Sequence, residues 1–430
     1  MSDDETKILS RAAEPRTPVD STTPRPAAWT VKLVMVAIVL AAVNLRPAIA
    51  SLGALLEEVR DSLGMSGSVA GVLTSVPPLC FAVFGVTAPR LARRFGPGAI
   101  VCAGMAAITA GLVIRPFAGG TVGFLAASAL ALMGIAVSNV LMPVIVKRYF
   151  PDRVGTMTGL YSMALALGTA LAAAVTVPLT HGLGGSWRVG LGVWAVPAAV
   201  AVLPWIALVK DRSAAAADEA GEGPGEAAGD GPREETPVPR IIRSRTAWSL
   251  ACFFGLQATG AYITMGWMPQ IFRDAGVPAG TAGLLLAVTM VMGVPLSFVI
   301  ARLAARMRHQ GPIALALGVC GLAGYAGLYL APAGGAWLWA LLLGVSNCSF
   351  PLALTMIGMR SRSGAGVVRL SAFAQSTGYL ISIPGPLLVG VLYQHSGGWG
   401  LPIALMGGLM LPQIAVGILA GRDRTIEDES

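Results

Sequence analysis

One arginine and four carboxamides are the residues in the long apolar runs of this chain whose types and depth best suit chemistry. Arg46 lies inside the first run, with Asn44 two positions before it and Pro47 directly after. Asn139, Gln257 and Asn347 lie at comparable depth in three later runs. An arginine stays protonated at physiological pH, and its planar fork matches carboxylate-like and other planar anions. An ionised residue deep in an apolar span is costly and points by default to function. All 22 acidic residues fall in loops, tails or helix ends, with Glu57, Glu58 and Asp61 nearest to Arg46 on its outer side. Arg46 therefore has no evident counter-charge in its own span, which favours an anionic ligand in that role. Asn44, Asn139, Gln257 and Asn347 would then orient a small polar solute by hydrogen bonding. A structural role is the alternative. Pro47 frees the Val43 carbonyl for Arg46 to bond, and Pro143 and Pro351 free the carbonyls of Asn139 and Asn347, which a nearby amide could heal. Tyr161, Tyr262, Trp267, Gln375 and Tyr379 are weaker polar candidates, since aromatic residues often only pack or sit at the interface.

Other chemistries find no support. His181 and His395 fall in loops on one side and His309 on the other. The five cysteines sit singly in apolar runs without ligand spacing, so they read as small buried hydrophobes. No phosphate-binding glycine loop and no nucleophile–base pair is present. The expectation is a protein that is not an enzyme and carries no cofactor or metal.

The elements that must hold Arg46 and the amides follow from composition. Hydrophobic residues make up 55% of the 430 and charged residues only 12%, with mean hydropathy +0.71. A soluble domain carries about 25% charged residues, so the apolar surplus here belongs against lipid. The 54 glycines suit close helix packing in a bilayer. Crossing the hydrocarbon core takes roughly 20 apolar residues. Twelve such runs are present, near 32–54, 68–89, 98–114, 121–146, 154–180, 187–208, 246–271, 281–301, 311–331, 337–358, 367–393 and 399–420. The expected organisation is a disordered tail over 1–30, a six-helix bundle over 31–209, a flexible linker over 210–245, a second bundle over 246–421 and a short tail over 422–430. The linker expectation rests on an Ala-, Gly-, Glu- and Pro-rich stretch with no apolar period.

With the N-terminus inside, 25 of the 30 basic residues fall in cytoplasmic segments. Four (Arg60, Arg115, Arg188 and Arg273) fall in outer loops, and Arg46 is left within a helix. That asymmetry sets the orientation, with both termini cytoplasmic. It also explains the pI near 9.6 without nucleic acid.

The chain repeats itself. Gly64–Leu73 matches Gly276–Leu285, and Arg90-Leu91-Ala92 matches Arg302-Leu303-Ala304. Val137–Pro143 matches Val345–Pro351, and His181–Trp187 resembles His395–Trp399. Two parallel halves related by an axis along the membrane normal place a substrate site between them near the midplane.

The stretch after the second run, Gly85-Val-Thr-Ala-Pro89-Arg90-Leu-Ala-Arg93-Arg94, resembles the glycine–aspartate–arginine loop motif of the major facilitator superfamily. Gly85, Arg90, Arg93, Arg94 and, in the second copy, Arg302 take the motif's conformational role. The pattern departs at Pro89, where Asp is usual, and at Ala301, so the Asp-centred latch of that family is in doubt. A narrower resemblance rests on Asn44-Leu45-Arg46-Pro47-Ala48-Ile49, Leu63–Ser66, Ala70-Gly71 and Ala88–Gly96. This string is similar to the cyanate and 2-nitroimidazole transporter branch.

The resemblance implies an all-α membrane protein of the major facilitator fold, with twelve transmembrane helices as two pseudo-symmetric six-helix bundles. It implies that helices one, four, seven and ten line the central cavity. The expected function is secondary active transport of a small anion or weakly acidic polar solute, by alternating access, in a bacterial-type cytoplasmic membrane. The expected partners are the solute, the bilayer and a candidate coupling proton, with the chain acting as a monomer. A multidrug or metabolite exporter on the same fold is the alternative. Against it, no acidic residue lies in the cavity region, and helix five lacks the Gly-Pro pair of drug antiporters.

Overall fold

A computed structural model describes residues 28–221 and 241–429. Most of the expected N-terminal tail and the centre of the expected linker lie outside these residues.

The first bundle holds α1 (Ala28–Asn44 and Pro47–Ala54), α2 (Gly67–Phe95), α3 (Pro97–Ile114), α4 (Thr121–Tyr149), α5 (Val154–Gly182) and α6 (Ala195–Gly221). The second holds α7 (Arg245–Asp274), α8 (Ala279–Val291 and Gly293–Arg306), α9 (Gly311–Leu330), α10 (Ala336–Asn347 and Ser349–Met359), α11 (Gly364–Ser382 and Pro384–Ser396) and α12 (Gly400–Ala420). Among the described residues, eleven of these helices are long and apolar enough to cross a membrane. The other, α7, is 30 residues long, about 45 Å at 1.5 Å per residue. It is less apolar because protein, not lipid, covers most of its length, and its buried positions include Gln257, Thr259, Thr264 and Gln270. The helix α6 runs past residue 209 to Gly221, further than expected. Its Ala214–Ala217 stretch is among the best helix formers.

The internal repeat reappears as packing. In the first bundle α1 packs on α5 and α6, α4 on α2 and α3, and α3 on α6. In the second, α7 packs on α11 and α12, α10 on α8 and α9, and α9 on α12. Each pair in one half has its counterpart six helices later. Across the halves, α2 packs on α11, its equivalent pair α8 on α5, and α1 on α7.

These cross-half contacts differ at the two ends of the molecule. At the end carrying Arg60 and Arg273, backbones touch directly. A Cβ on Gly71 would lie 2.9 Å from the Leu387 carbonyl oxygen, and one on Gly67 2.8 Å from that of Gly390. Added Cβ atoms on Gly53 and Gly283 would overlap the Met265 and Ala173 carbonyls. At the Arg90 end the halves meet through side-chain tips. A Cβ on Gly159 would be 3.7 Å from the Phe298 ring, and one on Gly85 3.7 Å from Ser376 Oγ. The conformer is sealed at the Arg273 end.

The C-terminal residues expected as a tail fold back under the second bundle. Ile426 is buried, and its N–H donates to the Arg360 carbonyl. The Glu429 carboxylate accepts from the Ser244 hydroxyl at 2.7 Å and the Thr246 N–H at 3.1 Å, at the start of α7. Despite partial burial, these donors hold the Glu429 carboxyl below the usual carboxylate range.

The glycine seam yields a direct test. Gly71→Val should hold the Arg273 end apart, because the added carbons meet backbone that cannot move aside. Spin labels at Asp61 and His395, measured by pulsed electron resonance, should report a longer and broader separation than in the unsubstituted chain. An unchanged distance would show that the seam tolerates a side chain.

Candidate substrate site

The site begins with a break in α1. Pro47 has no N–H to donate and its ring disfavours helical backbone at the residue before it. Leu45 and Arg46 accordingly leave the helix, and Arg46 takes φ −122° and ψ −24° as the residue preceding the second arm. Its carbonyl accepts from Ile49 N at 3.0 Å and Ala50 N at 3.1 Å, which starts that arm. The break turns the Arg46 side chain into the space between the bundles. The freed Val43 carbonyl lies against Gly168 of α5, where any Cβ would overlap it. Among the described residues it receives no hydrogen bond from Arg46.

Aromatic residues line the space around Arg46. Its guanidinium carbon is 6.0 Å from the ring centroid of Phe81 on α2. Phe81 stacks on Tyr379 of α11 at 4.9 Å, and Tyr379 meets Phe254 of α7 edge-on at 5.1 Å. Tyr262 of α7 lies 6.4 Å from Phe81 and 6.5 Å from Tyr379. The Arg46 charge reaches the hydroxyls of Tyr161, Tyr262 and Tyr379. Tyr262 faces Arg46, and its buried hydroxyl makes no hydrogen bond of ordinary geometry. Among the described residues, Arg46 has no ion pair with a carboxylate.

The four amides fall into three situations. Asn139 of α4 accepts a hydrogen bond from Tyr161 of α5, which ties it to the Arg46 surroundings. Gln257 of α7 approaches Asn347 of α10, Nε2 to Oδ1 at 3.5 Å, and leaves its own buried Oε1 without a partner. Asn347 ends the first arm of α10, where the helix breaks at Cys348, while α4 runs unbroken through Pro143. Asn44 behaves differently: it is buried and its amide donates to the Leu40 carbonyl one turn back at 2.8 Å. Of the weaker candidates, Tyr161, Tyr262 and Tyr379 join Arg46, whereas Trp267 donates to Thr74 at 3.2 Å and Gln375 to Ser371 at 2.7 Å. Phe81 and Phe254 carried no sequence signal beyond being aromatic in apolar runs.

The motif expected as a loop after helix two is helical. Gly85, Pro89, Arg90, Arg93 and Arg94 all lie in the last turns of α2, which ends only at Gly96 with φ +82°. Pro89 alone does not stop the helix. Arg90, Arg93, Arg94 and Arg302 are exposed. Arg94 lies over the neighbouring Phe95 ring, and among the described residues none of the four pairs with a carboxylate.

Arg115 corrects an expectation. Assigned to an outer loop, it is 1% exposed. It sits at the C-terminal end of α3 in a 3-10 turn with Pro116, and the second arm of α1, together with α4, closes over it.

At the sealed end the charges are paired across the halves. Arg273 of α7 binds Glu57 at 2.8 Å and Glu58 at 2.9 Å, both on the short helix Leu56–Leu63 that follows α1. Ser68 donates its N–H to Gln394 Oε1 at 2.9 Å.

Comparison with known proteins fits this geometry. A match to the Major Facilitator Superfamily spans residues 34–383. The chain belongs to that superfamily. It is 34% identical to the uncharacterized transporter YycB of Bacillus subtilis (strain 168), over 90% of this chain and 93% of that one. It is 31% identical to the 2-nitroimidazole transporter of Escherichia coli (strain K12), covering 92% and 97%. It is 29% identical to the cyanate transport protein CynX of the same organism, covering 88% and 95%. Among solved structures, the nucleoside transporter NupG superposes with TM-score 0.69 over 91% of this chain and 98% of that one. At 12% identity that likeness speaks for the fold. This superfamily member is thus a multi-pass membrane transporter whose sealed end is latched by Arg273.

The latch carries a prediction. Changing Glu57 and Glu58 together to Gln removes two partly exposed ion pairs, each worth about 0–1 kcal/mol. The conformational balance should shift toward opening at that end. A cysteine at Ala48, buried in this conformer, should then react faster with a membrane-impermeant maleimide added from the Arg60 side. An unchanged labelling rate would leave closure to the glycine seam alone.

Proposed function

We propose that this chain is a secondary active transporter for a small anion or weakly acidic polar solute of the cyanate or nitroimidazole kind. It works by alternating access across a bacterial cytoplasmic membrane, with both termini in the cytoplasm and the Arg273 end outside. The observation that carries the reading is Arg46, a guanidinium at a helix break between the bundles, ringed by Phe81, Tyr262 and Tyr379 and without a carboxylate partner. A half-buried cation held between the bundles in this way calls for a counter-charge. Aromatic walls favour a planar one, and Tyr161, Asn139, Gln257 and Asn347 supply donors and acceptors that fix its orientation. The names of two relatives, a 2-nitroimidazole transporter and a cyanate transport protein, point to the same solute class.

The site residues come from both halves: Arg46, Phe81, Asn139 and Tyr161 from the first, Gln257, Tyr262, Asn347 and Tyr379 from the second. A solute held by both sets must lose one set when the halves rock apart, which is how alternating access exposes the site to each side in turn. With no carboxylate in the membrane core, a coupling proton travels with the solute or binds Glu57 or Glu58. The chain acts as a monomer, since one chain supplies the whole site.

The test is solute binding and uptake in proteoliposomes, with cyanate, 2-nitroimidazole and small carboxylates as substrates. Arg46→Lys keeps the charge but loses the fork, so the apparent Kd should rise moderately while the protein still assembles. Arg46→Gln removes a charge-assisted contact worth about 1.5–3 kcal/mol, and affinity should fall by about 10- to 100-fold. Normal transport by Arg46→Gln with unchanged affinity would remove Arg46 from the site.

A further inference from the structure

A second arginine lies near the first, and the transport reading does not use it. The Arg115 side chain is buried, donates Nη1 to the Ala48 carbonyl at 3.0 Å, and holds its guanidinium carbon 5.7 Å from the Phe124 ring centroid. Its Nε and Nη2 are buried with no hydrogen-bond partner. Among the described residues no carboxylate pairs with it.

Arg115 borders a cavity of about 20 Å³ lined by the second arm of α1 with α2, α4 and α7. Ser128 and Tyr262 also face this cavity, and both hydroxyls are buried and unpartnered. Leu52, Leu73 and Leu132 form its apolar wall. A cavity needs roughly 10–15 Å³ to hold one water, so there is room for a small inorganic ion but not for an aromatic solute. Three unsatisfied polar groups around one small void, one of them cationic, make a set that a buried neutral interior would not retain, because each unmade hydrogen bond is costly there and more so when the group is charged.

We propose that the Arg115 cavity is a binding site for a small inorganic anion, of chloride or nitrate size, distinct from the central site at Arg46. Arg115 Nε and Nη2 supply the charge and two donors, and the hydroxyls of Ser128 and Tyr262 supply two more. The two sites share Tyr262, which faces this cavity and feels the Arg46 charge. The cavity also spans the seam. Arg115, Ser128 and Leu132 belong to the first bundle, while Tyr262 and Gly266 belong to α7 of the second. An ion touching both halves exists as a complete site only while the Arg273 end is closed, so it favours that conformer by its differential affinity. The assignment stands on the geometry of Arg115 and holds whether or not Arg46 binds the transported solute.

The test uses the full chain in lipid nanodiscs with Arg46→Gln, so that the central site contributes nothing. Thermal unfolding is followed by tryptophan fluorescence in sodium chloride, sodium nitrate or sodium gluconate at equal ionic strength. Chloride and nitrate should raise Tm over gluconate, along a saturating curve as ligand linkage requires. Ser128→Val fills the void and removes a donor, so it should abolish the difference. If that variant does not fold, Tyr262→Phe in the same background should weaken half-saturation several-fold. Coincident curves for chloride and gluconate would overturn the proposal. So would a chloride effect that neither Ser128→Val nor Tyr262→Phe alters.

Discussion

A guanidinium cannot be neutralised by losing a proton and cannot lie bare in hydrocarbon, and the interior of this molecule is arranged around that constraint. Moving a full charge into a medium of low dielectric costs several kcal/mol even after the protein relaxes. Arg46 is therefore tolerable only where something else is polar. The break at Pro47 places it between the bundles, facing tyrosine hydroxyls and the quadrupole of Phe81. A cation near a ring face gains roughly 0.5–2 kcal/mol, which offsets part of the cost and leaves the remainder for a ligand to remove.

The second constraint is backbone satisfaction. In lipid every N–H and C=O must find a partner, so non-helical backbone survives only where protein or a cavity covers it. The helices α1, α8, α10 and α11 are each interrupted, at Leu45-Arg46, Met292, Cys348 and Ile383. The breaks in α1 and α11 precede Pro47 and Pro384. Those two helices also pack across the halves, α1 on α7 and α11 on α2. An interrupted helix can bend at its interruption, so the elements that must move between conformers are those already weakened in the middle. The glycines at the Arg273 end complete the device. With Gly53, Gly67, Gly71 and Gly390 in register, backbones approach until van der Waals contact holds the halves, and only modest ion pairs with Arg273 are added on top.

Much of this was legible in the sequence. The spans, the two halves and the isolation of Arg46 from any carboxylate follow from apolar runs, repeated strings and a list of acidic positions. The aromatic ring around Arg46 was not legible, because a Phe or Tyr in an apolar run looks the same whether it faces lipid, a neighbour or a cavity. Asn44 shows the converse. Its place beside Arg46 suggested a ligand contact, yet a short amide on a helix can spend its donor on the carbonyl one turn back, and it does so on Leu40. Arg115 misled for a third reason. It lies between the apolar runs that end near 114 and begin near 121, and a loop position suggested solvent, but the second arm of α1, together with α4, closes over it. Likewise the motif around Pro89 read as a loop because the second apolar run ends near residue 89, whereas α2 carries on through Pro89 to Phe95.

The half-buried Arg46 and the fully buried Arg115 divide the electrostatic work at the centre between them. Arg115 is pinned by a backbone carbonyl and a ring, so its position is fixed by the first bundle and does not depend on the second. Arg46 has the Phe81 ring but no backbone carbonyl to hold it and sits at the α1 break, facing Tyr262 and Tyr379 of the second bundle. Between them stands Tyr262, on the helix that also carries Arg273 at its outer end. Any shift of α7 that parts Arg273 from Glu57 and Glu58 also moves the tyrosine that faces Arg46. α7 is continuous over 30 residues, with Pro269 between Tyr262 and Arg273, so the two residues ride on one helix that can hinge only at that proline. Charge at the centre and closure at the Arg273 end are then one mechanical event, carried by a helix that is buried along most of its length and by the continuity of its backbone.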